Sequence, residues 1–273
     1  MELVERFEVA RPRLISLAFR MVGSHHDAED AVQSAWLRVQ AADATDVANL
    51  DGWFTTVTAR LCLDQLRARE RRGELPLLAD DVPGDQRGVD EEFLRREDVS
   101  RALLVLLSEL SPGQRVAYVL HDLFALPFDE VADVLATSAV AAKKLASRAR
   151  ARLRDARPDD RGEGDLEIVE AFLAAARGGD VARLVALMAP DAVRTADARL
   201  LPPGAPTVVR GRAAIAEETR AFVDRIAAAA PMFVGGRPGA VIAPGGHPYA
   251  LLRFRIDAGL VTGIDITPYP RAG

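Results

Sequence analysis

The chain has 273 residues, 35 Lys and Arg against 40 Asp and Glu, a formal net charge of −5 and 49% hydrophobic residues. That length suits two or three compact domains, and the composition excludes a disordered polar chain; no uninterrupted apolar run is long enough for a bilayer. The amino terminus MELVERFEVARPRL carries charge from its second residue and has no leader-like apolar core, and the single cysteine, Cys62, excludes an internal disulfide framework and a cysteine-based zinc cluster. A reducing cytoplasm is the expected location, with no membrane contact, no cofactor and no metal.

In chain order, Val4, Phe7, Leu14, Leu17, Ala18 and Met21 recur at helical steps and predict a helix ending at Gly23, where a left-handed cap costs little. Ser24 opens a second helix. Its apolar stripe is Ala28, Ala31, Val32, Ala35, Trp36 and Val39, and Asp27, Glu29 and Asp30 lie in the first turn, where the helix dipole favours negative charge. A third helix follows Asn49 to Asp51, with Trp53, Val57, Leu61 and Leu66 at helical spacing and the basic run RARERR at its far end. These elements make up a first helical domain, residues 1–72. Residues 73–90, rich in Gly, Pro and Asp and without a period, read as a linker.

A second helical domain is expected over residues 91–157. Ser111-Pro112-Gly113-Gln114 has the form of a capping box with proline at the first helical position. A short helix through Phe128, Val131, Ala132 and Leu135 then breaks at Ala136-Thr137, and a longer one runs from Ser138, which is a helix-turn-helix pattern. A second linker covers 158–165. From 166 to 273 the pattern changes: Leu166 to Ala176, Val181 to Met188 and Ala213 to Ile226 read as helices, and short runs rich in Val, Ile and Phe follow. Tyr249 to Ile256 and Leu260 to Ile266 flank Asp257-Ala258-Gly259 as a hairpin. The predicted fold is therefore multidomain, two all-α domains followed by an α+β domain.

Charge is segregated despite the acidic sum. Basic residues collect in Arg60 to Arg72 and Lys143 to Arg157, and acidic ones in Asp80 to Asp98 and Asp155 to Asp165. On the helix from Ser138, steps of about 100° put Ala142, Leu145, Ala146, Ala149 and Leu153 on one face. Lys143, Lys144, Ser147, Arg148 and Arg154 lie around the other. Such a face either enters a DNA major groove, with its first turn at base edges and its later arginines on phosphates, or is a solvated basic surface. The same two readings apply to Arg60, Arg67, Arg69, Arg71 and Arg72, which suit a phosphate backbone or serve solubility.

The strings GSHHDAEDAVQSAWLRV and DGWFTTVTARLCLDQLRARERR resemble region 2 of extracytoplasmic-function (ECF) sigma factors. SELSPGQRVAYVLHDLFALPFDEVADVLATSAVAAKKLASRARARL resembles their region 4, so the resemblance covers Arg11 to Arg154 in the family's order. It implies a transcription initiation factor whose partners are core RNA polymerase, through its β′ and β subunits, and promoter DNA. Glu29, Asp30, Gln33 and Leu37, off the main apolar stripe of the second helix, then correspond to the surface that docks on the β′ clamp helices. The third helix, through Arg60, Asp64 and Arg67 with Arg69, Arg71 and Arg72, corresponds to the part that melts and reads the minus-10 element. Lys143, Lys144, Ser147, Arg148 and Arg154 correspond to the minus-35 reader. The chain departs from the family at Ala136, where Gly is common, at Ala139 for Pro, at Pro127 for a serine-like cap and at Leu61 for Asn.

From Leu166 to Pro268 the stretches AFLAAARGGDVARLVALMAPDAV, VRGRAAIAEE and GLVTGIDITPYP resemble SnoaL-like domains, cone-shaped α+β folds found in polyketide cyclases. Some ECF sigma factors carry such a domain after region 4. The motifs of that subgroup are altered here: Glu74-Leu75-Pro76 replaces a Trp-Leu-Pro segment, ADARLLPPGAP replaces a Gly-rich stretch after Asp197, and Thr267-Pro268-Tyr269 replaces an Asn-Pro-Asp ending. Asp197, His247, Tyr249 and Asp265 are the candidate pocket residues, and no two of them have a spacing that demands catalysis. The expected role is regulation in cis without enzymatic turnover, with a small-molecule ligand as a further partner. The alternative is a small-molecule-binding or cyclase-like enzyme fused to a DNA-binding half. A two-component-type regulator would lack the acidic-then-basic arrangement of the first domain.

Overall fold

The computed structural model describes residues 3–42, 49–74, 78–97, 99–155 and 163–270. The chain forms two compact units: the first holds the chain up to Leu77 together with Val82–Leu153, and the second holds Leu78–Asp81 together with the chain from Arg154 onward.

In the first unit, α1 (Leu3–Val22) ends at Gly23, whose φ of 81° lets its N–H reach the Phe19 carbonyl at 2.8 Å. Ser24 caps α2 (His25–Ala41) by accepting from the Asp27 N–H, and Asn49 caps α3 (Leu50–Arg71) by accepting from the Gly52 N–H at 2.9 Å. The predicted apolar stripe of α2 is buried, with Trp36 half-buried. On α3 the buried face differs from the expected one: it is formed by Phe54, Thr55, Thr58, Ala59, Cys62, Leu63 and Leu66, while Trp53, Val57 and Leu61 lie half-buried on its flank. Four of these seven are Thr, Ala or Cys, which carry a weak apolar signal.

Residues 84–90, expected as linker, are the first turns of α4 (Gly84–Arg96). This helix is polar along most of its length and is held by tertiary contacts. The Asp90 carboxylate accepts the His25 N–H at 2.6 Å, and Phe93 packs on Phe19 with ring centroids 4.6 Å apart. The Leu75 and Pro76 positions of the linker motif lie outside the described residues.

Next come α5 (Arg101–Ser108) and α6 (Pro112–Tyr118), which starts with the predicted capping box, the Ser111 N–H donating to Gln114 Oε1 at 3.2 Å. After a π turn at Val119–Leu123, α7 (Phe128–Leu135) and α8 (Ala139–Asp155) complete the unit. The two predicted helical domains share one core, which runs from Phe7, Phe19 and Phe54 through Phe93 and Leu120 to Ala149.

The second unit begins with α9 (Glu163–Gly178) and α10 (Val181–Leu187), leading into β1 (Met188–Ala196) and β2 (Val208–Arg210). The helix predicted over Ala213 to Ile226 is divided by a 3-10 turn into α11 (Arg212–Thr219) and α12 (Val223–Ala227). Four strands follow: β3 (Ala229–Val234), β4 (Arg237–Ile242), β5 (Ala250–Asp257) and β6 (Leu260–Pro268). With β1 and β2 they form one six-stranded sheet of order β2-β1-β6-β5-β4-β3, parallel between β1 and β6 and antiparallel elsewhere. The predicted hairpin is present as β5–β6, with Asp257 opposite Leu260 and both turn residues, Ala258 at φ 47° and Gly259 at φ 79°, left-handed. Val169, Phe172, Leu173 and Ala176 of α9 join the sheet's apolar residues in a separate core, completing the α+β domain.

Candidate functional site

The residues singled out in the sequence fall on four surfaces. On α2, Glu29, Gln33 and Leu37 follow one another at four-residue steps, Asp30 sits beside them, and all four are exposed. Leu37 is 58% exposed although apolar. Glu29 lies 3.9 Å from Arg11 and 3.7 Å from His25, and Asp30 lies 3.6 Å from His26. These solvent-facing pairs leave the ridge accessible.

The basic end of α3 is not uniform. Asp64, Arg67 and Arg71 are exposed, and Arg72 grips Glu74 through two bonds of 2.5 and 2.8 Å. Arg60 is exposed but donates to the Asp133 carbonyl of α7 at 2.9 Å. Arg69 turns inward: it donates to the Val22 carbonyl at 3.0 Å, pairs with Asp27, and its side chain is 11% exposed. It fastens α3 to the α1–α2 corner and presents no free guanidinium to a phosphate. Arg67, at the start of the same basic run, faces solvent instead.

Sequence reasoning missed Arg115 of α6, buried in the first unit with its Nε donating to the Arg20 carbonyl at 3.3 Å. A Cβ at Gly23 would stand 3.3 Å from its guanidinium, so Gly23 both turns the chain and leaves room for Arg115. Burial pushes the Arg115 guanidinium down to about 9 and the neighbouring Cys62 thiol up to about 12. The available signal was an arginine in the otherwise apolar run after the capping box.

In the helix-turn-helix, Ala136 ends α7 in a left-handed conformation, φ 53° and ψ 51°, and Ser138 caps α8 by accepting from the Ala141 N–H at 3.2 Å. Ala142, Ala146 and Ala149 are buried, and Lys143, Lys144, Ser147, Arg148 and Arg154 are exposed, as the wheel predicts. Arg150 is drawn aside by Asp122 at 2.6 Å.

The fourth surface lies within the second unit. A cavity of about 80 Å³ is walled by Leu173, Ile215, Ile242, Leu252 and Ile264, among others, with Tyr249 at one side. The four candidate pocket residues are not brought together around it. Asp197 lines an adjoining outer groove with Leu78, Asp80 and Tyr269, where Tyr249 is also part of the lining, and its bonds from Arg199 hold its carboxyl down at about 2. Asp265 is bonded to Thr195 and Arg255, and buried His247 is part of neither lining. Two charged residues do line the cavity unexpectedly: Arg194, whose side chain is 4% exposed, and its ion-pair partner Glu218. In the same unit, the Ala79 N–H donates to the Pro248 carbonyl at 2.9 Å, so residues 78–81 belong structurally with the sheet domain.

Residues 7–72 match the family model of Sigma-70 region 2, and residues 100–153 match that of Sigma-70, region 4. The chain is 39% identical to the ECF RNA polymerase sigma factor SigJ of Mycobacterium tuberculosis, an alignment covering 93% of this chain and 86% of that protein. It is 34% identical to the "Probable ECF RNA polymerase sigma factor SigI" of the same species, over 69% of this chain and 68% of that one. The crystal structure of M. tuberculosis SigJ aligns with 98% of this chain and 96% of its own, at 35% identity and a TM-score of 0.48.

Proposed function

The chain belongs to the ECF RNA polymerase sigma factors, and from that premise we propose how its surfaces share the work of transcription initiation. As a sigma factor it directs core polymerase to promoter DNA and starts transcription there. The α2 ridge of Glu29, Asp30, Gln33 and Leu37 docks on the polymerase; the solvent-exposed leucine is the observation that carries this assignment, since an apolar side chain in water gains by being covered. Arg60, Asp64, Arg67, Arg71 and Arg72 face the minus-10 element, and Lys143, Lys144, Ser147, Arg148 and Arg154 face the minus-35 element. Each phosphate neutralised releases counterions, so binding weakens steeply with salt.

The compact first unit is a closed form. Elements about 25 base pairs apart are separated by about 85 Å along B-DNA, whereas a compact unit of roughly 150 residues measures about 40 Å across. The α3 and α8 surfaces must part to reach both, which breaks the Arg60 bond to Asp133 and exposes Arg115 to solvent.

The C-terminal domain regulates this opening in cis, and the observation that carries the idea is that residues 78–81, which join regions 2 and 4, belong to the C-terminal unit. It acts by binding, with a small molecule as its ligand. The cyclase-like alternative is disfavoured because Asp197, His247 and Asp265 are not among the residues that line the cavity. The protein works in the cytoplasm, with polymerase and DNA; among the described residues no helix is long and apolar enough to cross a membrane.

Co-elution with core polymerase on a sizing column tests the docking surface, and loss of co-elution in Leu37→Asp is the expected result. For regulation, Leu78→Asp should release the 78–81 segment and change promoter output. Output identical to that of the unaltered chain would refute control through this segment.

A further inference from the structure

We infer that the C-terminal cavity takes a small hydrophobic carboxylic acid, its apolar end enclosed and its carboxylate at the mouth beside Arg225; this rests on the reading of that domain as a binding module. The enclosed space of about 80 Å³ is roughly half that of a dry cavity of ~150 Å³ that takes up benzene. A short branched chain or the leading edge of one ring fills it. A polycyclic molecule does not.

The interior offers no free charge to a ligand. Arg194 donates from Nε to one Glu218 carboxylate oxygen at 2.9 Å and from Nη2 to the other, and its Nη1 reaches the Pro206 and Thr207 carbonyls, both at 3.1 Å. The pair is thus compensated internally, which is the condition for burying it. Thr219 is also committed, its hydroxyl donating to the Ile215 carbonyl at 2.7 Å. Apart from the Tyr249 phenol at one side, the walls therefore recognise hydrocarbon.

Arg225 is different. It lines the cavity yet is solvent-exposed, which puts it at the mouth. Its guanidinium carbon lies 5.6 Å from the Phe222 ring centroid and 5.8 Å from that of Tyr249, and Nη1 donates to the Leu200 carbonyl. A guanidinium has five N–H donors, and this bond uses one of them. Among the described residues Arg225 forms no ion pair. An apolar chamber with a ring-stacked arginine at its entrance suits an amphiphile whose one polar group is anionic. With Asp197, His247 and Asp265 outside the lining and Glu218 held by Arg194, the acid is bound and released unchanged.

The test is a methyl NMR titration of the full chain with 3-methylbutanoate, the matched amine 3-methylbutylamine and the neutral 3-methylbutanol. Methyl signals of Ile215, Ile242, Leu252 and Ile264 should shift and saturate, with the acid binding about tenfold more tightly than the amine, attraction and repulsion at an exposed charge each contributing a few-fold. Arg225→Gln should abolish that preference while the alcohol still binds. Ala250→Phe, which fills the chamber, should remove binding of all three; if it fails to fold, the charge series on the unaltered chain and on Arg225→Gln decides. An amine that binds as tightly as the acid overturns the carboxylate assignment and leaves a binding module. No methyl shift with any probe overturns both.

Discussion

Replacing Ala136 with glycine should stabilise the first unit. Ala136 holds φ 53° and ψ 51° at the turn of the helix-turn-helix, a left-handed conformation that costs an L-residue about 1–2 kcal/mol. Glycine removes that strain but enlarges the unfolded ensemble, returning about 0.4–1 kcal/mol. Because the alanine is exposed, its methyl group contributes little packing, and the net gain should be about 0.5–1 kcal/mol. For a unit of this size that corresponds to a rise in Tm of about 1–4 °C. Thermal unfolding followed by circular dichroism checks it, with Ala142→Gly, inside α8 and buried, as the opposite control that should fall. A lower Tm for Ala136→Gly would refute the reasoning, because it would mean that the left-handed turn is not where the strain lies.

Other substitutions separate binding from stability. Arg69→Gln should lower stability by about 2–3 kcal/mol, since it removes an inward ion pair and a bond to the Val22 carbonyl; Arg67→Gln should leave the unfolding curve in place and reduce promoter binding. Leu37→Asp should keep its Tm while losing polymerase. Lys143→Ala and Arg148→Ala should each flatten the salt dependence of promoter binding by about one unit of log–log slope, measured by fluorescence anisotropy. Cys62 should resist alkylation at pH 8 until the chain unfolds. Its folded value of about 12 lies above the ordinary 9.0, so the unfolded chain releases this proton first. Its contribution to stability is therefore constant below about pH 9 and is lost as pH rises from there to about 12, a window read by urea titrations at stepped pH.

Helices whose burial follows the backbone period were legible in the sequence. The α2 stripe, the capping box at Ser111, the break at Ala136 and the hairpin turning near Asp257-Ala258-Gly259 each follow from local chemistry. Exposure of the α2 ridge and of the α8 basic face came with them, because a wheel that assigns the buried face also assigns its opposite. Features that depend on distant partners were not legible. The polar helix α4 exists through Asp90 and Phe93, whose partners His25 and Phe19 lie some way back along the chain. Arg69 and Arg67 look alike in a basic run, and what separates them is that Asp27 and Val22 lie beside one of them. Around the cavity, choosing residues by acid/base type favoured Asp197, His247 and Asp265, whereas the lining draws on apolar residues from many elements and on an Arg–Glu pair joined across β1 and α11.

Run-off transcription with purified core polymerase tests the central claim most directly. Adding this chain to core should yield transcript from its cognate promoter, and a variant carrying Leu37→Asp, or Lys143→Ala with Lys144→Ala and Arg148→Ala, should lose it while remaining folded. Transcript that is the same with core alone, across candidate promoters and without any complex between the chain and core, would contradict the account.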